Sequence, residues 1–183
     1  MQQINQGLLV LDATLLNHSA RADNIDLLGD YLKSFECWTT EIVLDELKVG
    51  YSQHATLRRA VDADWLKMDP LDSLDAITTY AEWSRKVGVS EMRHRGEASI
   101  FACAQLRQGI AITDDRQAAL VAVANGIEAH GSLWLLARLV RERIITVAAA
   151  ESFIEALLQQ EARLPCSGRD FVPWCAAHGV SLD

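Results

Sequence analysis

Short apolar runs alternate along the chain with longer segments whose apolar residues recur at helical spacing. The clearest runs are LLVL at residues 8–11 and IAIT at 110–113, and weaker ones lie in FECWTT, WLKMDPL and IEAHGS. Each predicts a short β-strand, because buried strands contain few polar positions. Strands that alternate with helices are typical of a parallel sheet with helices on both faces, so the pattern predicts an α/β fold.

The helices are predicted from apolar spacing and from the residues that start and stop helices. Thr40 is a predicted N-cap, and Gly50, Gly88 and Gly126 are predicted stops. The tail from residue 165 to 183 is interrupted by proline and is predicted to be irregular. The predicted helical segments are NIDLLGDYLKS, TTEIVLDELKVG, HATLRRAVDADW, DSLDAITTYAEWSRKVG, RGEASIFACAQLRQG, DRQAALVAVANG, SLWLLARLVRER and TVAAAESFIEALLQQEARL.

Composition narrows the class of protein. Half of the 183 residues are hydrophobic, which fits a globular domain with a full core. No run of 18 apolar residues occurs, and the N-terminus has no basic stretch before an apolar one, so we expect neither a membrane span nor a secretory signal. The four cysteines are widely spaced and form no CxxC motif. We expect reduced thiols and a cytoplasmic protein.

The net charge argues against general binding of polyanions. The chain carries 17 Lys and Arg against 25 Asp and Glu, which gives a charge of −8. A nucleic-acid function would therefore need a local basic patch, or cations that reverse the sign of an acidic pocket. From residue 92 to 117 the chain has four Arg against three acids, so this segment is less acidic than its surroundings.

Several carboxylates are placed where they can meet. Asp12 ends the first strand, and the adjacent Asp114 and Asp115 end the IAIT strand. The carboxyl ends of parallel strands meet at one edge of a sheet, where ligands bind. Glu46 and Glu97 lie in apolar helical contexts and are candidates for the same edge.

The acidic pair after IAIT has two interpretations. One Asp can cap the helix that follows, because its side chain accepts bonds from the free N–H groups of the first turn. A pair also fits a cation site, since hard cations bind clustered carboxylate oxygens. Buried like charges repel unless a cation neutralises them, which favours Mg²⁺ or Mn²⁺ and, with it, phosphoryl chemistry.

The order of the acidic segments resembles that of the PIN-domain nucleases. The segments are LLVLDATLL, EIVLDEL, RGEASIFACA, AITDDRQAAL and IEAHGSLWLL. The resemblance implies a three-layer sandwich with a twisted, mostly parallel sheet, and a metal-dependent ribonuclease activity that uses Mg²⁺ or Mn²⁺. It implies two overlapping sets of acids, one catalytic and one that binds the metal, with four residues in each. The implied catalytic residues are Asp12, Glu46, Glu97 and Asp115, and the implied metal ligands are Asp12, Glu97, Asp114 and Asp115.

The resemblance also carries expectations about domains and partners. It runs from about residue 7 to 145, and we expect residues 1–145 to form the nuclease domain. Residues 146–183 are then a C-terminal helical extension and tail that we expect to pack on the same domain. Many bacterial members are toxins, so an antitoxin protein is a possible partner beside RNA. The apolar surface of SLWLLARLV and of the helix near residues 148–164 predicts a homodimer.

Candidate contacts to substrate lie close to the acids in sequence. Arginine suits phosphate because its guanidinium forms paired hydrogen bonds, although a solvated face or a salt bridge is the more ordinary role of any single arginine. His18 and His94 are weaker candidates, since a lone histidine is commonly structural. The residues proposed to contact substrate are Thr14, Asn17, Arg93, Arg95, Thr113 and Arg116.

Other functions remain open at this point. A haloacid-dehalogenase-like phosphatase also begins with a strand-end Asp, but its motif needs a second Asp two residues later, where this chain has Thr14. A receiver-like domain would place its acidic pair after the first strand. A PIN-like module that binds RNA or protein without cutting is a non-enzymatic alternative. Cys166, Cys175 and His178 lack the fourth ligand and the spacing of a common zinc site.

Overall fold

The strands form one parallel sheet. In the computed structural model, which describes residues 7–89 and 94–183, the strand order is β3-β2-β1-β4-β5. Every strand pair is parallel, with Leu9 paired to Cys37 on one side and to Ile110 on the other. The predicted α/β fold is confirmed. The strands are β1 (Leu8–Leu11), β2 (Glu36–Thr40), β3 (Leu66–Asp69), β4 (Ile110–Ile112) and β5 (Ala129–His130).

Helices cover both faces of this sheet. Leu9, Val10 and Leu11 point alternately to opposite faces of β1, and none has any exposed surface. The helices are α1 (Ala13–Arg21), α2 (Ile25–Leu32), α3 (Glu41–Val49), α4 (Leu57–Val61), α5 (Leu74–Val87), α6 (Arg95–Arg107), α7 (Arg116–Ala124), α8 (Ser132–Arg141), α9 (Val147–Gln159) and α10 (Phe171–Ala177). Short 3₁₀ turns occupy residues 50–52 and 168–170.

Two predicted helix ends are confirmed in detail. The hydroxyl of Thr40 accepts a hydrogen bond from Val43 N at 3.2 Å and so caps α3. Gly88 ends α5 in the left-handed conformation, with φ at 70°, which glycine adopts without steric cost.

Two helices depart from the sequence prediction. The pattern did not predict α1, whose buried face carries only two large apolar side chains, Leu15 and Leu16, beside Ser19 and Ala20. The tail was predicted to be irregular, and this was wrong, because it contains α10. Pro173 lies in the first turn of that helix, where its missing N–H removes no helical bond.

The central helix of the molecule is α6. Its residues 98–104 are all buried, because it packs against β1, β2 and β4 as well as α3 and α5. A helix that is apolar on all sides belongs in the middle of a core. Its N-terminus reaches the carboxyl edge of the sheet and brings Glu97 there.

The C-terminal segment packs on the same core. Phe153, Ile154 and Leu157 of α9 are at most 2% exposed, and the ring of Phe153 lies 5.9 Å from that of Tyr31, centroid to centroid. Most apolar side chains of α8 are buried within the chain too, while Trp134 is half-buried. The homodimer stays a prediction. The domain boundary after residue 145 stays a prediction.

Across residues 7–89 and 94–183, no helix combines the length and the apolar character that crossing a bilayer requires.

Candidate active site

Asp12 lies at the carboxyl end of the central strand. Its backbone N–H donates to Ile112 O at 3.0 Å, which fixes it beside β4. The carboxylate accepts a hydrogen bond from the Thr113 hydroxyl at 3.1 Å and is only 3% exposed. Burial raises the pKa of Asp12 to about 7, and the negative charges of Glu97 and, less strongly, Glu46 add to the rise.

Glu46 reaches the same edge from α3. Burial is the main cause that raises the pKa of its carboxyl group, and repulsion by Glu97 is the second. A backbone hydrogen bond from Gly96 and the charge of Arg95 act in the opposite direction. A Cβ on Gly96 would lie 2.8 Å from Glu46 Oε2, so the absence of a side chain there lets the carboxylate approach the start of α6.

A second group of possible ligands lies beside this pair. The atoms of His94, Glu97 and Asp115 that can bind a metal all lie within 4.8 Å of one another. His94 Nδ1 is 3.8 Å from Glu97 Oε1 and 3.9 Å from Asp115 Oδ2. Asp115 Oδ1 accepts a hydrogen bond from Ala118 N at 2.9 Å and caps α7, which orients the carboxylate.

Thr113 connects the two groups. Its hydroxyl donates to Asp12 and accepts from the backbone N–H of Asp115 at 3.2 Å. The residue is only 2% exposed. Its two hydrogen bonds orient Asp12 relative to Asp115, and a contact of Thr113 to substrate stays a prediction.

The carboxylate of Asp114 accepts hydrogen bonds from the start of α8. Its Oδ1 accepts from Ser132 N at 2.7 Å and its Oδ2 accepts from the Ser132 hydroxyl at 2.6 Å, so it caps the start of α8. Burial raises the pKa of Asp114, and these two bonds lower it in part. Both members of the acidic pair therefore cap helices, and Asp115 Oδ2 is the oxygen that faces His94. Metal binding by Asp114 stays a prediction.

The remaining candidates among the described residues lie on helices that begin near these carboxylates in the chain. Thr14 and Asn17 are half-buried on α1, and Arg95 and Arg116 are exposed as the first residues of α6 and α7. Arg93 lies outside the described residues. His18 Nδ1 bonds to Thr14 O at 2.8 Å, and burial lowers the pKa of its imidazole.

A set of buried hydrogen bonds near the start of α6 was not predicted from the sequence. The hydroxyls of Thr40 and Ser99 are 2.7 Å apart, and Ser99 donates to Gly96 O at 2.7 Å. Both side chains are fully buried, so these bonds fix the start of α6 against the end of β2. The only sequence signal was the polar Ser99 within the apolar run ASIFACA.

The donor set fits a divalent cation. Carboxylate oxygens are the ligands that Mg²⁺ and Mn²⁺ prefer. Burial and, second, repulsion by Glu97 raise the pKa values of Asp12 and Glu46, and a cation would offset both effects. The tail residues Cys166, Cys175 and His178 do not form a comparable cluster within the described part of the chain.

Comparison with known proteins gave one match. A family model described as a PIN domain matches residues 8–168. Searches of curated proteins and of solved structures returned no match. Members of the matched family are generally nucleases and typically use divalent metals. Because the match covers most of the chain and the sheet agrees with it, the chain belongs to the PIN-domain family.

Proposed function

We propose that this protein is a metal-dependent endoribonuclease that hydrolyses phosphodiester bonds in RNA. The observation that supports this most is the burial of Asp12 at the end of the central strand, where it interacts electrostatically with Glu46 and Glu97. Burying such a cluster of charges is unfavourable for folding, so its presence supports a functional role for the site. The family match favours a nuclease over a haloacid-dehalogenase-like phosphatase.

The acids would hold the cation. Asp12, Glu97 and Asp115 are the proposed ligands, with Glu46 as the fourth catalytic acid and Asp114 as a further candidate ligand. When bound, Mg²⁺ or Mn²⁺ would lower the pKa of a water and stabilise the leaving oxygen of the phosphodiester.

Other groups of the chain would position the acids and the substrate. Thr113 holds Asp12, the N–H of Gly96 holds Glu46, and the N–H of Ala118 holds Asp115. Such fixed hydrogen bonds reduce reorganisation during the reaction. The exposed Arg95 and Arg116 are proposed to bind backbone phosphates.

The substitution Asp12→Asn tests this proposal. It keeps the shape of the side chain and removes one charge, so we expect cleavage of RNA to fall by at least about 100-fold. The measurement is cleavage of end-labelled single-stranded RNA with Mn²⁺, with and without EDTA, and the expected ends are 5′-phosphate and 3′-hydroxyl.

A matched control is Asp30→Asn, the same exchange at an exposed carboxylate of α2. It should retain full activity. Wild-type protein that cuts equally well in EDTA, or an Asp12→Asn variant with full activity, would show that the proposal is wrong.

The biological setting stays a prediction. A toxin of a toxin–antitoxin pair, an antitoxin partner, a homodimer and a cytoplasmic location are consistent with the proposed activity. The presence of all four acids argues against a PIN-like module that only binds. A small neighbouring gene whose product has a basic C-terminal segment would support the toxin role.

A further inference from the structure

We infer that His94 supplies a nitrogen ligand to the cation held by Glu97 and Asp115, and that this site therefore prefers a first-row transition cation such as Mn²⁺ to Mg²⁺. The inference rests on the proposed function, because it concerns the same metal site. It adds a ligand outside the set of acids and a preference for one class of metal.

The distances around His94 fit coordination better than hydrogen bonding. Nδ1 lies 3.8 Å from Glu97 Oε1 and 3.9 Å from Asp115 Oδ2, which is too far for a hydrogen bond to either. Two atoms bound to one cation at about 2.1 Å each can lie up to about 4.2 Å apart. Both separations fall inside that limit, so one ion can bridge the nitrogen to either oxygen.

The nitrogen has no other use in the described part of the chain. His94 Nδ1 is shielded from solvent and has no hydrogen-bond partner among residues 7–89 and 94–183. A buried polar atom without a partner is costly, and native structures retain such atoms where something else binds them. Here the atom faces two carboxylates, and a cation between them would satisfy all three groups.

The backbone at His94 decides which substitution is suitable for a test. Its φ is 64°, in the left-handed region, directly before the first turn of α6. Glycine or asparagine usually occupies such a position, because a larger side chain crowds the backbone there.

A nitrogen ligand changes which metals the site favours. Imidazole suits transition metals, whereas Mg²⁺ prefers oxygen ligands alone. Mn²⁺ accepts both kinds of ligand. A bound ring is neutral, with its lone pair on Nδ1 and its hydrogen on Nε2.

The test measures metal binding without RNA. Binding of Mn²⁺ is followed by electron paramagnetic resonance, and Mg²⁺ binding by its competition with Mn²⁺. The variant is His94→Asn, because asparagine tolerates the left-handed conformation and lacks the imidazole. We expect its dissociation constant for Mn²⁺ to rise at least about tenfold, while that for Mg²⁺ changes much less.

A second readout does not depend on a comparison of metal affinities. Pulsed electron paramagnetic resonance on Mn²⁺ bound to wild-type protein should show coupling to an imidazole nitrogen, and His94→Asn should remove it. The matched control is His178→Asn, at an exposed histidine stacked on Trp174 in the C-terminal helix. It should leave both the affinity and the nitrogen coupling unchanged.

The outcomes separate this inference from the proposed function. If wild-type protein binds Mn²⁺ without nitrogen coupling, and His94→Asn binds Mn²⁺ and Mg²⁺ as wild type does, His94 is not a ligand. The nuclease proposal would then stand if Glu97→Gln abolishes binding of both metals. If wild-type protein binds neither metal, both proposals fail.

Discussion

At the scale of single residues, the negative charge of the buried Asp12 side chain opposes folding. Asp12 is almost fully buried, and its carboxylate accepts one hydrogen bond from a side chain, that of Thr113. A pKa of about 7 in place of the ordinary 3.8 means that the folded protein binds the proton more tightly than the unfolded chain. Ionised Asp12 therefore destabilises the fold, and a bound cation would reverse this effect.

The raised pKa of Asp12 predicts that the stability of the protein depends on pH in metal-free buffer. Between pH 4 and 7 the folded state holds a proton on Asp12 that the unfolded state releases, so the free energy of unfolding should fall as pH rises and level off above 7. The full shift corresponds to at most about 4 kcal/mol. Asp12→Asn should remove this part of the dependence and be the more stable protein at pH 8.

Urea unfolding in EDTA at pH 4.5 and pH 8 measures the difference between the two proteins. The stability of Asp12→Asn relative to wild type should be greater by about 3 kcal/mol at pH 8 than at pH 4.5. Equal differences at both values would contradict the raised pKa. Added Mn²⁺ should stabilise wild type more strongly at pH 8 than at pH 6, because metal binding releases the proton.

At the scale of elements, the site is assembled from helix ends. The starts of α6 and α7 bring Glu97 and Asp115 to the carboxyl edge of the sheet, and α3 brings Glu46. The adjacent Asp114 and Asp115 divide between two helices, since Asp114 caps α8 and Asp115 caps α7. One dipeptide therefore fixes the relative positions of two helices.

This division predicts different effects of two substitutions at Asp114. Asp114→Ala removes both bonds to Ser132 and should lower the free energy of unfolding by about 1–3 kcal/mol. Asp114→Asn keeps an acceptor for Ser132 N and should lose less. If Asp114 serves only as a cap, Asp114→Asn should also bind Mn²⁺ as tightly as wild type.

Thermal unfolding and Mn²⁺ titration of both variants measure these effects. A stable Asp114→Asn protein that no longer binds Mn²⁺ would instead identify Asp114 as a metal ligand, as the resemblance to the family implied.

At the scale of the whole molecule, the C-terminal segment belongs to the core. Leu157 of α9 is 1% exposed, and α9 packs against α1, the helix that directly follows Asp12. Helix α9 therefore supports the helix that begins at the site.

Leu157→Ala should reveal this integration. A buried leucine truncated to alanine leaves a cavity, so we expect the free energy of unfolding to fall by about 2–5 kcal/mol. The matched control, Leu27→Ala, removes the same atoms from a side chain that is 39% exposed and should cost about 0.5 kcal/mol or less. Urea unfolding measures both. Similar small losses for the two variants would indicate a C-terminal segment that is an appendage.

Local sequence signals account for most of the fold. The runs LLVL and IAIT, the cap at Thr40 and the stop at Gly88 depend on side chains within a few residues, so periodicity and propensity were enough to predict them. The helices α1 and α10 were not predicted. Their buried faces are small, and packing against distant elements, rather than their own pattern, stabilises them.

The candidate site divides in the same way. The sequence by itself indicated four candidate acids, Asp12 and Asp115 after strands and Glu46 and Glu97 on helices, because each belongs to a recognisable local pattern. Only the tertiary structure decided that Thr113 links Asp12 to Asp115, that Gly96 makes room for Glu46, and that Asp114 caps α8. These contacts join residues that are far apart in the chain, or depend on which way a side chain turns. No local pattern encodes either, so the partner of each polar group is defined only when the helices pack on the sheet.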